Sequence, residues 1–297
     1  MEAFHGALTR LIVPGRSTVA DIGTGSGVLA MLAARLGARK IYAYEMAEIG
    51  AVAERLVRHN KFRSIELIPG RSTDIIDPPR VDIVVSETLG NYALEENIIE
   101  TMNDAVARHL APGGTIIPAR LEQFVAPVVA PRLRDELAAW DRVGLGLDLG
   151  PATAFSLNNA YVRTLVPDEL LDRGKSAQVW DRIDLSKKNR LSRKGRASWL
   201  MEAQATIHGL AVWWCATLVD PIALSTGPFD PATHWEQLFF PALDPISLSR
   251  GETLAIELSS RSSDEGGTDL AWTLVRVNAK GREAERQALS LDQGFIP

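Results

Sequence analysis

The sequence is nearly free of cysteine: Cys215 is the only one in 297 residues, so an intrachain disulfide cannot form. This composition suits a reducing compartment, and we expect a cytoplasmic protein. The chain also lacks any apolar run near the ~20 residues that a membrane-spanning helix needs. Its amino-terminal residues show no basic region followed by a long apolar one. We therefore expect neither a secretory signal nor a contact with the membrane.

Positive charge is in deficit as well. The net charge is −5, with 32 Lys and Arg against 37 Asp and Glu. An acidic surface repels nucleic acid and attracts cationic ligands, so we expect no nucleic-acid partner. The local exception is KKNRLSRKGR, residues 187–196, with six basic residues in ten. This run and its Gly195 predict a solvated turn between strands. The sequence predicts no metal site.

Short β-rich runs alternate with helix-like segments over residues 17–118. The predicted strands are 17–22, 40–45, 65–68 and 81–87, and the predicted helices are 27–37, 49–60 and 94–110. Apolar strands that alternate with helices are typical of βαβ units. We therefore predict an α/β domain over residues 1–118, built on a parallel sheet that is covered on both faces.

The pattern changes after Pro118. From there on, strand-like runs are separated by Gly, Pro, Asp and Ser, and helical spacing is weak apart from one candidate helix near 131–142. We predict a second, mostly antiparallel β domain over residues 119–297. Residues 143–175 have no clear period, and we interpret them as an extension that leaves this domain.

A glycine-rich turn, VADIGTGSG, follows the first predicted strand and opens the first helix. Its Asp21, Gly23, Gly25 and Gly27 suit a ligand close to the backbone, because glycine tolerates positive φ and has no side chain. The spacing is neither that of the dinucleotide-binding turn nor that of a phosphate-binding P-loop. A generic nucleotide-binding turn, or a merely tight turn, is the alternative.

Positions after the next two strands define the ligand more narrowly. Glu45 ends the second strand, where a carboxylate can accept hydrogen bonds from both ribose hydroxyls. The turn after the third strand, PGRSTDI, offers Ser72, Thr73 or Asp74 as adenine contacts. We therefore predict an adenosine-type ligand across the carboxyl ends of the strands.

A pair of carboxylates flanks the turn in SETLGNYALEENIIET, residues 86–101. Glu87 ends the fourth strand and Glu96 follows the turn. Two carboxylates held across a turn could grip one guanidinium from two sides, because this planar cation offers five N–H donors in a fixed fork. The alternative is an exposed acidic turn before a helix N-terminus, where acidic side chains suit the helix dipole.

Together these motifs resemble the protein arginine N-methyltransferase family, within the class I S-adenosylmethionine-dependent methyltransferases. The resemblance rests on VADIGTGSGVLAMLAARLGARKIYAYE, on the double-glutamate hairpin VDIVVSETLGNYALEE and on LSTGPFDPATHWEQLFF, residues 224–240, with its Thr-His-Trp loop. It covers nearly the whole chain in the same order. It implies a Rossmann-like domain, then a β-barrel-like domain with a dimerisation arm at 143–175, and hence a homodimer.

The resemblance also implies an activity: transfer of methyl groups from S-adenosyl-L-methionine to arginine guanidinium nitrogens of proteins or peptides. Glu87 and Glu96 would clamp the guanidinium. One of them or His234 would take the proton that leaves, and Trp235 would lie against the arginine side chain. The implied cofactor contacts are Asp21, Gly23, Gly25, Glu45, Ser72 and Thr73.

Some positions depart from the family pattern. Thr88 and Asn91 replace hairpin residues that are commonly Trp and Tyr, and Thr73 lies where an acidic adenine ligand is common. The family also has a segment ahead of this region that closes over the cofactor, and we expect it upstream of Met1 or lost. Two alternatives therefore stay open: a methyltransferase for a small guanidine or amine metabolite, and a degenerate member without catalysis.

Overall fold

A computed structural model of the chain describes residues 1–263 and 267–293. Residues 264–266 and 294–297, which belong to the predicted second domain, lie outside the described residues. The first part of the chain forms five strands: β1 Thr18–Ile22, β2 Lys40–Glu45, β3 Ile65–Pro69, β4 Val81–Ser86 and β5 Leu110–Ile117. They pair in the order β3-β2-β1-β4-β5, and every pair is parallel. This confirms the predicted Rossmann-like sheet.

Four α-helices accompany this sheet: α1 Glu2–Leu11, α2 Val28–Arg35, α3 Gly50–His59 and α4 Ile98–Asp104. The prediction of one helix over 94–110 is wrong. Glu96 and Asn97 both adopt φ of 58°, which is costly for side chains with a Cβ and interrupts the helix. A 3-10 turn, Glu95–Asn97, therefore precedes α4, and a π-helical turn, Ala105–His109, follows it.

The second part of the chain is mostly antiparallel, as predicted. Its strands are β6 Arg120–Val128, β7 Tyr161–Arg163, β8 Gln178–Asp184, β9 Ser192–Leu200, β10 Ala205–Val219, β11 Ile222–Ser225, β12 Gln237–Leu248, β13 Thr253–Ser263, β14 Gly267–Val277 and β15 Glu283–Ser290. One sheet has the order β7-β12-β10-β6-β8, with β11 beside β10, and the other has β15-β14-β13-β9. Within the described residues these strands make two sheets and not one closed barrel.

The interval predicted as an arm, 143–175, divides into two kinds of structure. Two helices, α5 Pro131–Leu137 and α6 Gly150–Leu157, flank an exposed segment. Farther along, β7 pairs with β12, where Tyr161 faces Phe239, and Leu165 and Leu170 are buried. The helical part therefore begins before residue 143, whereas residues from 161 on belong to the β domain.

The basic run at 187–196 is only partly a turn, because β9 begins at Ser192. Gly195, which we expected in a turn, lies inside this strand. A Cβ there would come within 2.0 Å of the Trp180 carbonyl oxygen. The glycine therefore permits β9 to pack closely on β8, which is a long-range contact that the local sequence does not reveal.

The two parts of the chain share one hydrophobic core. The change of sheet falls between Ile117 and Arg120, at the predicted boundary, yet buried side chains on both sides of it form one cluster. Phe4 and Leu8 of α1 belong to this cluster, as do Trp214 of β10 and Trp272 of β14. No described helix is long and apolar enough to cross a membrane.

Candidate active site

The glycine turn forms one wall of a cavity at the carboxyl ends of β1 and β2. Gly23, Gly25 and Gly27 have φ of 70°, 57° and 82°, a region that glycine occupies without strain. A Cβ on Gly25 would have no neighbour within 4 Å and one on Gly23 would lie 2.6 Å from Thr88 Cγ2. Gly25 thus leaves open space that a ligand could fill, while Gly23 allows the hairpin to approach the turn.

Asp21 lies beneath the turn and does not line the cavity. Its Oδ2 accepts hydrogen bonds from the Thr24 hydroxyl at 2.5 Å and the Ala30 N–H at 2.9 Å. Burial raises the pKa of Asp21 to about 6, because a charged carboxylate loses hydration there. Asp21 therefore shapes the turn and the start of α2, in place of the direct cofactor contact that we predicted for it.

Glu45 closes the turn from the end of β2. Its Oε2 accepts the Gly25 N–H at 2.8 Å, and its Oε1 accepts the Ala47 N–H at 2.7 Å. Both Glu45 and Gly25 line the cavity. A carboxylate beside a glycine, which has no Cβ to block a ligand, fits the ribose of the predicted adenosine-type ligand.

The 3-10 turn Ser72–Asp74 forms the next part of this wall. Ser72 and Thr73 line the cavity, and Asp74 is not among its lining residues. Of the three adenine contacts that the sequence left open, the structure therefore places two at the cavity. Ser72 is buried, and its carbonyl oxygen accepts the Ile75 N–H that closes the turn.

The glutamate hairpin forms the opposite wall. The cavity, of about 880 Å³, is lined by Gly23 and Gly25 of the turn and by Glu45, Glu87, Glu96 and His234. Burial, and next the nearby negative charge of Glu96, raise the pKa of Glu87 to about 7. The two carboxylates are thus close enough to interact, and burial together with this repulsion favours a proton on Glu87 near neutrality.

Two tryptophans of the β domain hold the hairpin in place. The Trp235 indole N–H donates to the Leu89 carbonyl at 2.6 Å, and that of Trp214 donates to the Gly90 carbonyl at 3.1 Å. Their rings meet edge to face, with centroids 5.2 Å apart. The Asn91 amide in turn donates to the Trp235 carbonyl at 2.5 Å. Trp235 lines the cavity, but it is 9% exposed, and its polar atoms fix the hairpin.

The distal part of the hairpin is anchored as well. Tyr92 is buried, and its hydroxyl donates to Ser260 Oγ at 2.8 Å while it accepts from the Gln123 amide at 3.1 Å. The Leu94 carbonyl accepts from the hydroxyls of Ser262 and Thr268, each at 3.3 Å. The β domain therefore determines where the segment between Glu87 and Glu96 lies.

His234 reaches the cavity from the loop before β12. It is exposed, and its ring lies 3.9 Å from the Trp235 ring, centroid to centroid. The sequence indicated Thr88 as a hairpin position, but it did not identify several other lining residues, among them Met1, Met46, Glu95, Glu100 and Thr101. Of these residues, only Glu95 and Glu100 could have been found from the sequence, because they are acidic and lie close to Glu96 in the chain.

Comparisons with known proteins match both parts of the chain. Residues 6–121 match the family model for ribosomal protein L11 methyltransferase (PrmA), and residues 120–286 match that of the PRMT5 oligomerisation domain. Protein arginine N-methyltransferase 1 of Saccharomyces cerevisiae is 30% identical over 85% of this chain and 74% of its own. Its namesake from Schizosaccharomyces pombe is 30% identical over 93% and 82%.

Solved structures share the fold. The Trypanosoma brucei PRMT1 enzyme-prozyme heterotetrameric complex with AdoHcy has a TM-score of 0.85 at 22% identity, over 97% of this chain and 93% of that one. Arabidopsis thaliana protein arginine methyltransferase 10 has a TM-score of 0.80 at 24% identity, over 98% and 94%.

The fold and the cavity define a class I methyltransferase, whose cofactor is S-adenosyl-L-methionine. More particularly, the chain belongs to the protein arginine N-methyltransferase family. Both results confirm the resemblance that the three sequence motifs indicated.

Proposed function

We propose that this protein methylates arginine side chains of proteins or peptides, with Glu87 and Glu96 binding the guanidinium. The observation that carries the proposal is the shared cavity. Gly25 and Glu45 line the same space of about 880 Å³ as Glu87, Glu96 and His234. Cofactor-binding and cation-binding groups therefore meet in one space. A cavity of this size suits two ligands side by side.

The two glutamates act on the acceptor through charge and geometry. A guanidinium that enters between them favours the ionised form of Glu87, because a positive charge offsets the burial that raises its pKa to about 7. Paired hydrogen bonds would then fix the plane of the guanidinium and leave one terminal nitrogen facing the cofactor. Orientation of this kind accounts for a large part of the acceleration in a displacement reaction.

A proton must leave the guanidinium during or after the transfer. When bound, the cofactor supplies an electrophilic methyl carbon on a sulfonium sulfur. Glu87, ionised beside the bound guanidinium, is the first candidate to accept the proton, since the burial that raises its pKa to about 7 without that cation favours its protonated form as the positive charge is lost. His234 lies at the same cavity and is the second candidate for this role.

Product analysis by mass spectrometry tests the proposal. The protein is incubated with S-adenosylmethionine and either an arginine-containing peptide or a set of small guanidines and amines. We expect methyl groups on the arginine side chain of the peptide. Methylation of only the small acceptors would replace the proposed substrate class, and no methylated product with any acceptor, despite cofactor binding, would contradict the proposal.

We further propose a homodimer in which the helical segment at 131–157 contacts a second copy. Trp140, Leu145, Leu147 and Phe155 are apolar and 46%, 89%, 63% and 60% exposed. An apolar patch of this kind is unusual on a monomer surface. The wall of the cavity that contains the glycine turn and Glu45, which we call the cofactor wall, has exposed apolar side chains beside it: Met46, Ile49 and Val52. These side chains offer a complementary apolar surface on the other copy.

Light scattering after size-exclusion chromatography tests the dimer. We expect the double variant Leu145→Asp, Leu147→Asp to be monomeric, because charge on a buried apolar interface is costly. Leu200→Asp is the control, since Leu200 is also exposed, at 68%, but lies on β9. A wild-type monomer, or a dimer that survives the double variant, would contradict this assembly.

The absence of a nucleic-acid partner remains a prediction. The basic run gives it some support, because Lys187 and Arg193 pair with Asp184 and Asp181, and Arg196 pairs with Glu257. Paired cations attract phosphates less than free ones do. The cytoplasmic location is likewise proposed on the single cysteine alone.

A further inference from the structure

The turn at Ser72–Asp74 is held by few hydrogen bonds among its own residues. Its two backbone hydrogen bonds are the Asp74 N–H to the Arg71 carbonyl at 3.1 Å and the Ile75 N–H to the Ser72 carbonyl at 3.4 Å, and the Thr73 hydroxyl donates to Asp74 Oδ1 at 3.4 Å. No side chain caps its amino end. A three-residue turn with such contacts needs support from elsewhere if it is to present Ser72 and Thr73 in a fixed place.

Arg108, which lies in the π-helical turn Ala105–His109, provides this support. Its Nη1 donates to the Ile75 carbonyl at 2.5 Å, and its Nη2 donates to the carbonyls of Ser72 and Thr73 at 3.1 and 2.9 Å. One guanidinium thus binds three carbonyl groups in four residues. A lysine could not spread these donors over two nitrogens, because it lacks the planar fork.

The guanidinium is itself held in place. Asp104, one turn earlier, accepts from Arg108 Nε at 2.6 Å and from Nη2 at 2.8 Å. The π-helical turn Ala105–His109, closed by the Leu110 N–H on the Ala105 carbonyl, projects Arg108 towards the Ser72 turn. Next to it, buried His109 lies 3.2 Å from the Ser72 carbonyl through Nε2. Turns of this type are often found at functional sites.

We infer that Arg108 is a positioning residue for the adenine side of the cofactor site. It does not line the cavity, and it acts through the backbone of Ser72 and Thr73. The inference rests on the cofactor site of the proposed function but not on the acceptor. The π-helical turn lies within the segment for which the sequence predicted one continuous helix. Through Arg108 this turn supports the binding of the nucleoside.

Binding measurements by calorimetry test this inference without any need for turnover. The probes are S-adenosylhomocysteine and 5′-methylthioadenosine, which share the adenosine and differ in the amino-acid part. Arg108→Met should weaken both by about 10-fold, because a supporting contact near a ligand loosens the site when it is lost. Arg108→Lys, which keeps the charge without the fork, should weaken both by a smaller factor.

Arg80→Met is the matched control. Arg80 donates to the carbonyls of Ala107 and Leu110 at 2.9 and 2.6 Å, so it supports the same π-helical turn without reaching Ser72. We expect its melting temperature to fall as that of Arg108→Met does, with both affinities within about two-fold of wild type.

Equal losses of affinity in Arg80→Met and Arg108→Met would overturn the inference, as would a loss for S-adenosylhomocysteine alone. If the wild-type protein bound neither probe, both this inference and the proposed function would fail. Binding without any methylated product would contradict the proposed function alone.

Discussion

The two walls of the cavity are held by contacts of very different range along the chain. On the cofactor wall, Asp21 binds residues 3 and 9 positions away, and Glu45 binds Gly25 at a separation of 20. On the acceptor wall, Trp214 and Trp235 bind hairpin carbonyls at separations of 124 and 146. The cofactor wall is thus almost self-contained, whereas the acceptor wall depends on the folded β domain.

This difference has a functional meaning. A cofactor site built from a strand, a turn and a helix can form wherever that unit folds. The proposed guanidinium site needs two carboxylates at a fixed spacing, and the hairpin between them is anchored by side chains of the β domain. Its geometry is therefore set by Trp214, Trp235 and Tyr92, which belong to or bind the β domain. Variants of the two walls should have separable effects.

The largest effect is expected for Glu87→Gln on the acceptor wall. Glutamine has the same shape, so the hairpin should keep its place, but the anion that binds the guanidinium is lost. We expect kcat/KM to fall by about 100-fold or more, with the Kd of S-adenosylhomocysteine within a few-fold of wild type. Peptide kinetics and calorimetry measure the two.

Glu122→Gln, which removes a surface carboxylate that binds Arg182 at 2.8 Å, is the control for Glu87→Gln. Near-native turnover of the Glu87 variant would refute the clamp. We expect Glu96→Gln to behave in the same way as Glu87→Gln.

Gly25→Val should produce the converse result on the cofactor wall. A branched side chain at φ of 57° is strained and would project into the open space of the cavity. We expect the affinity for S-adenosylhomocysteine to fall by about 100-fold. Gly15→Val is the matched control, because Gly15 also has positive φ and open surroundings but lies in a turn outside the cavity lining. Equal affinities for the two variants would mean that Gly25 is not a close-approach position.

Trp214→Phe should have a moderate effect that is confined to the acceptor wall. The change removes the N–H on the Gly90 carbonyl, and the hairpin loses one anchor. We expect kcat to fall by about 5- to 10-fold while cofactor affinity is kept, with a loss of stability of about 1–3 kcal/mol. Trp272→Phe loses a similar buried bond, to the Pro241 carbonyl at 2.9 Å, so its stability should fall alike without a change in kcat. A kcat loss shared by both variants would point to general destabilisation.

The smallest effect concerns stability and pH. The pKa of Glu87 is about 7 in the folded protein and about 4.3 in an unfolded chain. The folded state therefore holds more protons between these values, and its stability falls as pH rises from about 4.5 to 7. Glu87→Gln removes this loss. We expect its melting temperature relative to wild type to rise by about 2–4 °C between pH 5 and pH 8; a constant difference would mean that Glu87 titrates normally.

The fold was predictable where contacts are local. The pattern of apolar residues placed β2 at 40–45 without error, and it placed α2 and α3 within a residue or two. It failed at Glu96 and Asn97, where two left-handed residues break the expected helix. It also failed at Gly195, where the approach of Trp180 and not a turn explains the glycine. In both cases distant packing overrides local preference.

The sequence by itself determined the class of protein, and it pointed to the residues proposed to bind the cation and the cofactor, with Asp21 as the exception. The sequence reveals these features because each depends on residue types at neighbouring positions: glycines in a turn, a carboxylate at the end of a strand and two glutamates around a turn. Only the tertiary structure decided that Asp21 lies under the turn, that Trp235 anchors the hairpin and that Arg108 holds the Ser72 turn. The roles of Trp235 and Arg108 depend on hydrogen bonds between segments distant in the chain, and Trp235 meets the hairpin only when the two domains pack on one core. Asp21 binds residues close to it in the chain, but its place under the turn follows from the folded turn and not from the residue type.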